Sequence, residues 1–122
     1  MFVAKILLVC AAVALVSGNP QGFGAPRELT GDDLEQSRAN LESSLTKLAA
    51  GSGPYYRVSR ILSASTQVVT GTLNRYKVEL IDTNNETKVC DVEIWSRTWL
   101  PNGIEVTFDC PNEAKEVRNH SA

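Results

Sequence analysis

Two runs near the end of the chain constrain its fold more than any other feature. Cys90, Val92 and Ile94 alternate with Asp91 and Glu93, and Ile104, Val106, Phe108 and Cys110 alternate with Glu105, Thr107 and Asp109. A period of two belongs to strands that have one face on a core. Pairing Cys90 with Cys110 sets Val92 opposite Phe108 and Ile94 opposite Val106, so every apolar pair falls on the side of the cysteines. A slip of one residue would put the acids inside. This register leaves Thr98 to Asn102 as the turn, with Trp99 at or beside its tip. Trp95 then has polar-face parity, where it covers the outer surface of the sheet or supports the turn.

A second hairpin precedes the first. Tyr56 to Thr66 is rich in β-branched and aromatic residues, and in Thr72 to Ile81 the apolar Tyr76, Val78 and Leu80 alternate with Arg75, Lys77 and Glu79. The expected connection is Gln67-Val68-Val69-Thr70-Gly71, and pairing about a centre at Val69 sets Val58 opposite Leu80 and Leu62 opposite Tyr76. Turns favour Gly, Asn, Asp, Ser and Pro, each for a mechanical reason, so two valines at a tip point to a partner. The alternative is a loop packed on its own sheet.

Upstream, Leu34, Leu41, Leu45 and Leu48 recur at spacings of seven, four and three, an apolar stripe along one helical face, with Arg38, Glu42 and Thr46 away from it. Thr30, Asp32 and Asp33 supply a cap and early negative charge, Lys47 lies near the far end, and Gly51 stops the helix. The stripe must be buried on something, and a sheet is the only partner left. The expected fold class is α+β, one long helix packed across a four- to five-stranded antiparallel sheet.

The first 18 residues carry Lys5, the apolar run Ile6 to Val16 and small residues at Val16-Ser17-Gly18, the pattern of a secretory signal peptide cut after Gly18. A run of about a dozen apolar residues falls short of the roughly 20 that a spanning helix needs, and a signal anchor is the alternative reading. The expected organisation is a signal peptide at 1–18, an N-terminal arm at 19–27, a single domain at 28–111 and a loose polar tail at 112–122. The product is expected to be secreted, with no membrane association after cleavage. The 12 Lys and Arg include Lys5, which leaves eleven against all 14 Asp and Glu, scattered with no basic run. That balance gives no argument for nucleic acid. Cys10 leaves with the signal peptide, and Cys90 and Cys110 then form an even pair, which in an oxidising route reads as a disulfide. Asn85-Glu86-Thr87, in a polar turn, is an N-glycosylation pattern, and Asn119-His120-Ser121 is a second.

Gln67-Val68-Val69-Thr70-Gly71 matches the Gln-X-Val-X-Gly loop of the cystatins, and with Phe23-Gly24-Ala25 in the arm and Trp99 nine residues after Cys90 the chain resembles that family over residues 23 to 110. Cystatins are reversible, tight-binding inhibitors of papain-like cysteine proteases. The resemblance implies a long helix cradled by an antiparallel sheet, with the arm and two hairpin tips aligned as a wedge. It assigns protease binding to Phe23, Gly24, Gln67, Val68, Val69, Thr70, Gly71, Thr98 and Trp99, with the Cys90–Cys110 bridge helping to hold the second tip. The expected partners are papain-like proteases of the cathepsin L or B type, met by a monomer. Thr98 replaces the proline of the family's Pro-Trp pair, and the connection at 82–87 lacks the long cysteine-bearing insert of vertebrate secreted members, as in insect cystatins. The Asn through which some members inhibit legumain has no counterpart in Gly51-Ser52-Gly53.

An enzyme needs a nucleophile with its base, or metal ligands. Here the only histidine is His120 in the tail, the mature cysteines pair, and no spacing marks a triad, a phosphate loop, a metal site or a cofactor. The expectation is therefore a protein without catalytic residues, cofactor or metal. The competing function is a secreted binding module of the same fold that does not inhibit. For Trp99 the competing role is a core residue.

Overall fold

The computed structural model describes residues 25–122. The signal-peptide region with Cys10, most of the arm, and with it Phe23 and Gly24, lie outside the described residues. The elements run β1 (Arg27–Glu28), α1 (Gly31–Ala50), β2 (Arg57–Val69), β3 (Gly71–Ile81), β4 (Thr87–Ser96), β5 (Ile104–Asp109) and β6 (Glu116–His120). The strands form one antiparallel sheet in sequence order, β1 to β6, with α1 across one face. None of the helices is long and apolar enough to cross a membrane among the described residues.

Helix α1 forms for the reasons its sequence suggests. Leu41, Leu45 and Leu48 are buried, Leu34 packs at the core's edge, and Arg38 and Glu42 pair on the exposed side at 3.3 Å. Thr30 stands at the N-cap in extended conformation, but its side chain makes no capping bond there. At the far end Leu48 C=O accepts from Gly51 N–H at 3.0 Å and Gly53 N–H at 2.7 Å, which closes the helix. Two serines share the buried stripe. Ser37 Oγ donates to the Tyr76 hydroxyl, and that hydroxyl donates back to the Ser37 carbonyl, each at 3.0 Å, so the phenol enters the core with its polar end satisfied. Burial pushes the Tyr76 phenol up, offset in part by its hydrogen bonds with Ser37 and Asn74.

The β4–β5 register is the one the alternation requires. Val92 pairs with Phe108 and Ile94 with Val106, Cys90 is bonded to Cys110, and all six side chains are buried in the core. The bridge closes the hairpin at the end remote from the 97–103 loop, so it fixes the register rather than touching the tip.

The β2–β3 register departs from expectation. Val58 does face Leu80, but Ala64 rather than Leu62 faces Tyr76, and Leu62 is 42% exposed. Ser59 and Leu62 are extra residues at two irregularities in β2, each of which reverses the alternation. Val58, Ile61 and Ala64 thereby reach the helix side at spacings of three. Bulges of this kind bend and twist a strand, which suits a sheet that wraps a helix, and they blunt an exposed edge. The two extra residues also move the centre of pairing from Val69 to Thr70. The expected five-residue connection shrinks accordingly: Gln67, Val68 and Val69 belong to β2, Gly71 opens β3, and Thr70 alone lies between them.

The C-terminal segment is not the loose tail expected at 112–122. Glu116–His120 is an edge strand, with Glu116 opposite Phe108, Val117 opposite Thr107 and His120 opposite Ile104. His120 Nε2 lies 2.9 Å from Ser44 Oγ on α1, and Lys88 Nζ, 4.9 Å above the Tyr56 ring, holds Glu113 at 2.6 Å. Burial pulls the Lys88 ammonium down, but its hydrogen bonds and charge interactions with Glu113 and Tyr56 together outweigh it and push Lys88 above its ordinary range. With β1 and β6 at its edges, the sheet has six strands where four to five were expected.

Candidate functional site

One end of the sheet gathers the β2–β3 tip, the 97–103 loop between β4 and β5, and the start of the described chain. Val68 and Trp99 are each 58% exposed, Leu100 is also exposed, and Val69 is half-buried. Trp99 is therefore not a core residue, and Val68 is not packed down on its own sheet. Thr98 is exposed beside Trp99, and Thr70 is exposed at the tip.

Gly71 brings the two loops together. Its φ is +93°, and a Cβ there would overlap the Ser96 carbonyl oxygen and come within 3.3 Å of the Trp99 ring. Only glycine lets the tip lie this close to β4. Gly103 has the same function in the second loop: its Cβ would overlap the Arg97 carbonyl oxygen and lie 2.8 Å from that of Leu100. The loop is closed by Arg97 N–H donating to Gly103 C=O at 2.9 Å and Leu100 N–H donating to Arg97 C=O at 3.0 Å. Asn102, with φ +50°, completes the turn, and Asn119 of β6 donates to its carbonyl at 3.3 Å.

The side chains beneath the loops form hydrogen-bonded and ion-paired networks. Gln67 Oε1 accepts from Arg75 Nη1 at 3.2 Å, and Arg75 Nε donates to Glu93 at 3.0 Å, so Gln67 is tied to the outer face of the sheet. The Trp95 indole N–H donates to the Thr70 carbonyl at 2.9 Å, with the Arg97 guanidinium 4.0 Å over its ring and Glu105 3.5 Å from Arg97 Nη2. Charges at this end are thus paired with one another.

The arm enters from the other side. Arg27 pairs with Thr66 and Glu28 with Ser65, so going backward from Glu28 to Arg27 leads toward the β2–β3 tip. Asn85 lies at the opposite end of the sheet, in the turn between β3 and β4, exposed and with φ +62°. Its Oδ1 accepts from Arg57 at 3.2 Å. Among the described residues, no group of three or more His, Cys, Asp or Glu is placed to hold a metal ion.

The sequence brought Val68, Gly71, Thr98 and Trp99 to attention, and the structure sets them at one end. It missed Arg97, Gly103 and the contact of Trp95 with Thr70. For Gly103 the signal was present, since Asn-Gly marks a tight turn. For Trp95 parity alone left two roles open.

No family model and no solved structure matches the chain. Among curated proteins, it is 50% identical over 117 residues to Sarcocystatin-A of Sarcophaga peregrina, covering 96% of each chain. It is 33% identical over 112 residues to Cystatin-like protein of Drosophila melanogaster, covering 91% of this chain and 88% of that one. A 90-residue stretch, 73% of this chain, is 40% identical to part of Cathepsin F of Drosophila melanogaster but spans only 15% of that protein. With near full-length identity of this order, the chain belongs to the cystatin family, inhibitors of cysteine proteases rather than enzymes.

Proposed function

We propose that the protein is a secreted inhibitor that binds papain-like cysteine proteases of the cathepsin L or B type reversibly and tightly, as a monomer. Its wedge comprises Phe23 and Gly24 of the arm, residues Gln67 to Gly71 and the pair Thr98-Trp99. The observation that carries this reading is the exposure of Val68 and Trp99 at one end of the sheet, with the Trp99 ring against Gly71. Two rigid apolar side chains held in register suit a narrow protease cleft, because little side-chain entropy is lost when they are desolvated. A wedge of three segments would bury on the order of 800 Å² per partner, enough for tight binding when the parts are preorganised. Phe23 fills a subsite on the non-primed side, and Gly24 lets the arm turn away before the catalytic sulfur. Secretion rests on the signal pattern in the first 18 residues.

The test is steady-state inhibition of papain, cathepsin L and cathepsin B by residues 19–122, beside a variant carrying Gly24→Glu and Trp99→Ala. Nanomolar or tighter reversible inhibition that the variant loses is the expected result. Absence of inhibition by oxidised, monomeric protein overturns the reading in favour of a binding module that does not inhibit.

A further inference from the structure

We propose that Trp95, Arg97 and Glu105 form a positioning clamp that presets the β2–β3 tip against the 97–103 loop before any partner arrives. The inference rests on the inhibitory reading for its consequence, but its structural content stands apart from it.

Three observations carry it. The Trp95 indole N–H reaches out of β4 to the carbonyl of Thr70, the single residue between β2 and β3, at 2.9 Å. That bond crosses from one hairpin to the tip of another, and a one-residue tip has few backbone bonds of its own. Next, the indole plane is itself held: Arg97 lies 4.0 Å over the ring, within the distance at which a guanidinium is attracted to the face of tryptophan. Arg97 is in turn held by Glu105 at 3.5 Å, and Glu105 is the direct cross-strand neighbour of Trp95. Finally, Arg97 Nε is buried without a hydrogen-bond partner among the described residues. A buried donor left unmade is costly, so Nε is not what holds the guanidinium; its Nη2 bond to Glu105 and its stack on the ring are.

The function of such a clamp is entropic. Val68 and Val69 sit immediately before Thr70, and Gly71, just after it, has the backbone freedom to let the tip swing. Fixing the Thr70 carbonyl takes that freedom away in the free protein, so it need not be lost on binding. The affected quantity is then the fraction of molecules whose tip is competent, which scales apparent affinity. None of the three residues has to touch the protease.

The informative variant is Trp95→Phe, which keeps an aromatic ring for Arg97 but removes the N–H donor together with part of the indole face. Amide exchange of the peptide covering the tip, measured on the free protein, should quicken about tenfold, the equivalent of one lost hydrogen bond. The association rate with papain should fall several-fold while the dissociation rate stays within about twofold, because the contacts in the complex are intact. Glu105→Gln, farther from the tip, should act in the same direction and less, which guards against a folding defect peculiar to Trp95. Unchanged tip exchange in Trp95→Phe overturns the clamp, whatever the inhibition. A faster dissociation rate with unchanged exchange also overturns it and makes Trp95 a contact residue. If the wild type fails to inhibit papain while the tip still loosens in Trp95→Phe, the clamp stands and the inhibitory reading falls.

Discussion

At the scale of single residues, Gly71 and Tyr76 show how the same sheet serves binding and stability. Gly71 combines a left-handed φ of +93° with a space that the Ser96 carbonyl leaves too small for a Cβ. Gly71→Ala must shift the tip away from β4 and from Trp99. We expect inhibition of papain to weaken by about tenfold or more, with a loss of stability on the order of 1 to 3 kcal/mol in urea unfolding. Tyr76 acts in the core. Its phenol is raised above 10.0 by burial, so between pH 10 and the folded-state value the unfolded chain ionises there while the folded chain does not. Stability from this group is complete below pH 10 and is lost as pH rises through the raised value. Tyr76→Phe removes both Ser37 bonds, should cost about 1 to 2 kcal/mol at neutral pH, and should flatten the alkaline fall in urea midpoint. An equally steep fall in the variant would assign it to other groups.

At the scale of elements, legibility in the sequence followed how strictly each strand alternates. The β4–β5 hairpin could be read to the residue, since Cys90, Val92 and Ile94 and their partners all lie on the helix side. Strand β2 could not, because the irregularities at Ser59 and Leu62 reset its phase twice, and no residue type marks a bulge of this kind. That one misreading also lengthened the expected tip. Strand β6 was invisible for a different reason. An edge strand needs little apolar surface, and here the ladder to β5, His120 against Ser44 and Lys88 against Glu113 hold it. Deleting residues 116–122 should therefore lower stability on the order of 2 kcal/mol or more and expose the edge of β5 to pairing with other chains. Urea unfolding and light scattering would report it; an unchanged midpoint would return the segment to the role of a tail. At the site, exposure of Val68 and Trp99 followed from reading two turns, whereas the inter-hairpin bond from Trp95 depends on tertiary placement that no local pattern encodes.

At the scale of the whole molecule, the meander separates two ends. The tip at Thr70 and the 97–103 loop share one end, while the 82–86 turn and the Cys90–Cys110 bridge lie at the other. A glycan on Asn85 would project from that second end, where the exposed side chain accepts a hydrogen bond from Arg57. Comparing glycosylated protein with Asn85→Gln should give inhibition constants equal within about twofold, since a glycan at that end does not reach the interface; a larger difference would place part of the interface near the turn. The central claim is that cysteine proteases meet the Thr70 end. Hydrogen exchange of residues 19–122, free and saturated with papain, tests it most directly. The account predicts protection over residues 67–71 and 97–103 with none over 82–87, and protection confined to the helix or to the 82–87 turn would contradict it.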